Sequence, residues 1–176
     1  MRFLEFRIPL FAMQKYAEAM RLELLMIGKT NDAAVSELEN KYFKRMQNYW
    51  PFDSKVIADI KNTKNLSQDQ IKDQEGHKIL SEKKVGDLLI LLDEKGKEFH
   101  SRGFAQQLQT WFNRSPKRIV FCIGGAYGFS PDVYAAADGK ISLSKMTFSH
   151  QIIRAIFAEQ IYRAATILKG EPYHHD

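Results

Sequence analysis

The sequence predicts an α/β fold, a mostly parallel sheet flanked by helices, and three observations carry that reading. Short apolar, β-branched runs alternate with amphipathic segments along the chain. One of those runs, Leu88 to Leu92, is apolar throughout, as a strand buried on both faces must be. The run Ile119 to Ile123 breaks directly into Gly124-Gly125, with Gly128 after it, at the strand end where open α/β sheets bind ligands.

Each element follows from its local chemistry. Leu22 to Ile27 reads as the first strand. A helix from about Asp32 to Tyr49 places Val35, Leu38, Tyr42, Met46 and Tyr49 on one face at three- and four-residue spacing. Val56 to Ile60 is a second strand. Ser67 and Gln70 form a capping-box pattern opening a helix to about Lys84. After the Leu88–Leu92 strand, Gly96 is expected to turn the chain, and Ser101 to cap a helix presenting Phe104, Leu108 and Trp111. The glycine-ending strand leads to a short helix with Pro131 in its first turn. A strand at Lys140 to Leu143 and a last helix from about Ser149 to Leu168 close the series.

Composition narrows the possibilities. A chain of 176 residues, 44% hydrophobic, is long enough for one domain with its own core. No stretch approaches the roughly 20 apolar residues of a membrane helix, so no membrane partner is expected. The single cysteine, Cys122, falls inside a strand and cannot form an intrachain disulfide, which fits a buried inert thiol and a reducing cytoplasm. A net charge of +5 is compatible with a polyanionic partner without requiring one, because the lysines are scattered. Residues 1–19 read as an extension or an upstream start rather than a secretory signal: the apolar core is short and holds Pro9. Residues 20–176 read as a single domain.

Several motifs invite functional readings that do not survive inspection. Gly28-Lys29-Thr30 lacks a nucleotide-binding phosphate loop, since Glu23 stands where that loop needs its first glycine. Gly124, Gly125 and Gly128 have the wrong spacing for a dinucleotide fingerprint. Adjacent His174 and His175 have no carboxylate or cysteine cluster to complete a ligand set, so no metal is expected. Neutral imidazole remains a competent proton acceptor near neutral pH. His150 and Arg154 lie one turn apart, open to a structural or a functional reading. Glu159 and Arg163 have the acid-first spacing of an ordinary intrahelical ion pair.

Four segments taken together, FCIGGAYGFS, ISLSKMTFSHQIIR, EQIYRAATILKG and the closing PYHH, resemble the bacterial pseudouridine-N3 methyltransferases of large-subunit (23S) ribosomal RNA. These are small members of the SPOUT, or trefoil-knot, class. The likeness runs from about Met20 to Asp176. It implies a deep C-terminal trefoil knot, an exception to the rule against threaded chains, and a homodimer whose site forms between subunits. It also implies S-adenosylmethionine as methyl donor, bound bent against Leu92, Gly124, Leu143, Ser144, Lys145, Met146, Thr147 and Phe148. The reaction such a family catalyses requires loss of the N3 proton and stabilisation of the charge that develops. On that reading Arg154 would stabilise the charge, His174 would take the proton, Tyr173 would position the base, and His150 would orient the loop. With no appended RNA-binding domain, the implied partner is folded rRNA or the assembled ribosome. Two alternatives remain at this point: a knot protein that binds RNA without catalysis, and a methyltransferase of another RNA position.

Overall fold

A computed structural model describes residues 21–173. Five strands form one sheet in the order β2-β1-β4-β3-β5, with every neighbouring pair parallel. In chain order the elements are β1 (Arg21–Ile27), α1 (Ala33–Met46), β2 (Phe52–Ile57), α2 (Gln68–Glu82), β3 (Asp87–Glu98), α3 (Ser101–Asn113), β4 (Arg118–Ile123), α4 (Pro131–Ala136), β5 (Gly139–Ser142) and α5 (Ile152–Lys169).

The central strands alternate between two cores. Leu22, Leu24, Met26, Ile90 and Phe121 point into one, where Met46 of α1, Leu108 of α3 and Phe157 of α5 meet them. Leu25, Ile27, Leu91 and Cys122 point the other way, toward Ile79 of α2 and Val133 of α4. Burial on both faces explains why these strands are apolar without alternation. Cys122 has no exposure, and burial pushes its thiol pKa up, so it is inert.

Several boundaries differ from the sequence expectation, each for a local reason. The helix α1 starts after Asp32, whose carboxylate accepts the N–H groups of Ala34 and Val35, and it stops at Met46 rather than Tyr49. Its inner face also differs: Leu38 is exposed and Glu39 is buried. The second strand begins at Phe52, not Val56, because pairing with β1 starts at Leu22 opposite Phe52. Val56, at this sheet edge, stays exposed. Gly96 sits where the β3–β5 pairing shifts register, between Leu92 and Lys97, rather than in a turn after the strand. It lies inside β3, where an added Cβ would sit 2.4 Å from the Ile141 backbone, so its task is close approach to β5. His100, not Ser101, caps α3, its Nδ1 accepting the Gly103 N–H at 3.1 Å. The last strand ends at Ser142, and α5 starts at Ile152, not Ser149. The Ser67–Gln70 capping box and Pro131 in the first turn of α4 are as the sequence indicates.

Candidate active site: a cleft at the carboxyl ends of β3, β4 and β5

Three loops leave the sheet on one side and enclose a cleft of about 580 Å³, within the range of small-molecule sites. Leu92, Ile123 and Ile141 supply the floor from the strands. The glycine loop after β4 supplies one wall. Its tightness comes from Gly128, at φ +80°, whose N–H donates to Gly125 O at 3.2 Å. The loop after β5 supplies the other wall and is braced internally: Ser142 Oγ donates to Ser144 O at 2.8 Å, and Ser144 Oγ accepts the Met146 N–H at 2.9 Å.

The residues assigned from the family resemblance converge here. Leu92, Gly124, Leu143, Ser144, Met146, Thr147 and Phe148 all line the cleft, whereas Lys145 is exposed and outside the lining. Sequence reasoning missed Asp93, Glu94, Tyr127 and Tyr134 on the rim. For Asp93, Glu94 and Tyr134 the signal was hidden because β3 runs past its apolar segment and only the fold brings its polar end beside α4; Tyr127 lies in the glycine loop itself. Tyr134 donates its hydroxyl hydrogen bond to Asp93, and burial followed by that carboxylate raises the phenol pKa.

The glycine pair has a different reason from the one its sequence suggests. An added Cβ at Gly124 would meet the Phe129 ring at 3.1 Å and Gly128 O at 3.2 Å; at Gly125 it would meet both Glu75 carboxylate oxygens at 2.6 Å. Close approach is required first by the protein itself, and the ligand face comes second.

Arg154 has no exposure and lies outside the cleft lining. Its Nε donates to His150 O at 2.9 Å, Nη1 to Gly28 O at 2.9 Å and Thr30 Oγ1 at 3.0 Å, and Nη2 to Ile27 O at 2.6 Å. Thr30 in turn donates to buried Glu39 at 2.9 Å. Burial lowers the Arg154 pKa, with the Glu39 and Asp59 charges acting against it. Gln151 Oε1 adds a second tie by accepting the Asn31 N–H at 2.9 Å. Within one chain Arg154 therefore fastens the end of the β5–α5 loop to the end of β1. His150 lines the cleft just before α5.

Tyr173 sits elsewhere. Gly170, at φ +69°, ends α5 and turns the chain back, so the Tyr173 ring packs 4.8 Å from Tyr162. Its hydroxyl donates to Glu159 at 3.2 Å, and the Arg163 guanidinium lies 4.9 Å from its ring centroid. Arg163 is itself paired with Glu159 at 2.5 Å, which raises its pKa. Burial and the neighbouring Tyr42 and Glu159 raise the Tyr173 pKa, keeping it a neutral phenol. Tyr162 is nine residues beyond the cleft residue Ile153, roughly 14 Å along the helix axis, so this cluster is remote from its own chain's cleft. Spacing alone marks Arg163 as half of an ordinary ion pair; the structure adds that it also packs on Tyr173. His174 lies outside the described residues.

With this geometry in place, similarity to known proteins is decisive. The family described as predicted SPOUT methyltransferase matches residues 20–174. The chain belongs to the SPOUT methyltransferase family. It is 57% identical to ribosomal RNA large subunit methyltransferase H of Parabacteroides distasonis, over 89% of this chain and 100% of that one. The proteins of the same name from Flavobacterium johnsoniae and Bacteroides thetaiotaomicron are 53% and 52% identical, again over 89% of this chain and 99% and 100% of theirs. Among the described residues of this SPOUT member, no group of three or more His, Cys, Asp or Glu is placed to hold a metal ion. Among the same residues, no helix is long and apolar enough to cross a membrane.

Proposed function

We propose that this protein transfers a methyl group from S-adenosylmethionine to N3 of a pseudouridine in large-subunit ribosomal RNA, as a cytoplasmic homodimer acting on the assembled ribosome. The observation that carries the reading is the convergence of the β3 end, the glycine loop and the Leu143–Phe148 loop on one cleft. The residues there suit the donor. Leu92, Leu143 and Phe148 can enclose a flat adenine, and the Asp93 and Glu94 carboxylates on the rim favour a cation. The relatives' shared name supports the substrate class.

When bound, the donor supplies a sulfonium methyl that is already activated. The protein's own work is then to orient the base, exclude water and remove the N3 proton. Arg154 positions the cleft by fixing His150 O, which leaves the charge-stabilising role to a guanidinium nearer the base. In this reading that group is Arg163, held by Glu159 beside Tyr173. Tyr173, reaching the cleft of a second copy, positions the base, and His174 takes the proton.

The path of the chain supports a knot in the C-terminal third. β5 is at one sheet edge, yet Arg154 bonds to Ile27 at the end of β1 and Gln151 to Asn31 just after it, two strands beyond β3. The segment between them must cross the strand ends of β3 and β4. Residues 20–176 form the single methyltransferase domain in this reading, with 1–19 as an extension.

Mass mapping of ribosomal RNA from a deletion strain tests the proposal directly. One missing methyl on pseudouridine, restored by adding the purified protein and S-adenosylmethionine to isolated ribosomes, is expected. An unchanged map overturns the substrate, and absence of donor binding by calorimetry favours a non-catalytic RNA-binding protein instead.

A further inference from the structure

Glu75 is a buried carboxylate that nothing in the proposed reaction uses. It lies on α2, is 7% exposed, and is fixed against the back of the glycine loop. The contact is intimate at both ends of that loop. The carboxylate fills the space that a Cβ at Gly125 would take, with both oxygens 2.6 Å from that point. The next residue, Gly76, leaves room for Ser130 at the other end of the loop, where an added Cβ would lie 2.3 Å from Ser130 Oγ. The Gly125 N–H is near enough to the carboxylate to favour its charged form, and Glu75 Oε2 is buried without a hydrogen-bond partner.

Burying such a group is unfavourable. Burial raises its pKa, and the like charge of Asp59 adds to that; Lys78 and the Gly125 N–H act in the opposite direction without cancelling it.

We propose that Glu75 is a positioning residue for the donor cleft: its carboxylate holds Gly125 by the backbone and so fixes the glycine-loop wall against which the donor binds. This rests on the reading of the cleft as an S-adenosylmethionine site. Glu75 touches the loop from behind and does not line the cleft. Its effect therefore falls on donor affinity, through the shape of Gly124 to Gly128.

The test is calorimetric titration of S-adenosylmethionine into wild type, Glu75→Met and Glu75→Gln, with melting curves at pH 8. Methionine matches the volume but offers no comparable acceptor, so its Kd should rise about tenfold. Glutamine keeps an acceptor for Gly125 and should stay within about threefold of wild type, the rescue that distinguishes positioning from bulk packing. The loss should appear in KM for the donor rather than in kcat. Glu75→Gln should melt no lower than wild type, because it removes a desolvated charge.

Wild-type affinity in Glu75→Met overturns the proposal, as does an equal loss in Glu75→Gln. If Glu75→Met does not fold, Gly125→Ala decides. Its added Cβ, 2.6 Å from both Glu75 oxygens, should displace the loop from the carboxylate and weaken donor binding about tenfold. Wild-type donor affinity in Gly125→Ala overturns the inference. No binding by wild type would instead refute the donor-site reading itself.

Discussion

The two ends of the sheet treat buried charge in opposite ways. At the amino ends, Arg118 closes a compact ion cluster: Nη1 meets Glu23 at 2.6 Å, and Nη2 meets Asp87 at 2.5 Å and Glu82 O at 2.8 Å. At the carboxyl ends, Arg154 bonds no carboxylate directly. Its partners are the carbonyls of Ile27, Gly28 and His150 and the hydroxyl of Thr30. One arginine joins side chains of three neighbouring strands, and the other fixes the backbone of loops. A guanidinium with five N–H donors in a rigid fork serves either purpose, and the partners decide which. The difference separates a stabilising end of the sheet from a site-building end.

Breaking the amino-end cluster should have the largest effect on stability. Arg118→Ala leaves Glu23 and Asp87 as buried charges without their cation, which costs about 3–5 kcal/mol. Urea denaturation should show that loss, while the fraction that remains folded binds S-adenosylmethionine as wild type does. Weakened donor binding in that fraction would mean that the two ends are not independent.

The reciprocal change is Arg154→Lys. It keeps the charge but loses the fork, leaving several carbonyls unmatched at a cost of about 2 kcal/mol. Stability should therefore fall less than with Arg118→Ala. Donor affinity should fall as well, since His150 O and the β5–α5 loop lose their anchor. Stability loss without a change in donor Kd would assign Arg154 to the core alone.

The pH dependence should also differ in sign between the ends. Arg118 and the Lys84 N–H hold the Asp87 carboxyl below its ordinary value of 3.8, overcoming the upward push of burial. A depressed pKa contributes stability that is present above the unfolded value and lost as pH falls through the folded one. Glu75 and Glu39 are raised above 4.5, chiefly by burial, so their ionisation opposes folding as pH rises through their folded pKa values. Denaturant titrations across pH should show Asp87→Asn less stable than wild type at pH 7, with the gap closing on acidification below 3.8. Glu75→Gln should be no less stable than wild type at pH 8, and any gain should shrink toward pH 4.5.

The same contrast explains what could be read from the sequence. The strands and helices were legible because burial on both sheet faces imposes apolar runs such as Leu88–Leu92 and Ile119–Ile123. The cleft loops were legible through the family resemblance, and seven of the eight residues it assigns to the donor line one cavity. What escaped depends on contacts distant in sequence. No local pattern shows that Glu39 turns inward to Thr30, that Glu75 occupies the space over Gly125, or that Gly96 faces Ile141. The Arg154 partners lie more than 120 residues upstream apart from His150, so its burial could not be inferred from helical spacing. Gly124-Gly125 marks a ligand-binding strand end in the sequence, but the close approaches that require glycine there are those of Phe129 and Glu75.

The smallest stability effect belongs to the tail, where function should respond most. The Glu159–Arg163 pair is an i,i+4 contact on a partly exposed helix face, with side chains 18% and 26% accessible. Such a pair contributes about 0.3–0.5 kcal/mol. Glu159→Gln should therefore leave the melting temperature nearly unchanged. It also removes the charge that orients Arg163 and weakens the acceptor that holds the Tyr173 hydroxyl, so the tail loses its arrangement against Tyr162. Methyl transfer to ribosomes should then slow, while calorimetry still shows wild-type donor affinity, because the cluster is remote from its own chain's cleft. Loss of donor binding in step with turnover would place Glu159 with the Arg154 end of the molecule and refute a tail that works on a partner's cleft.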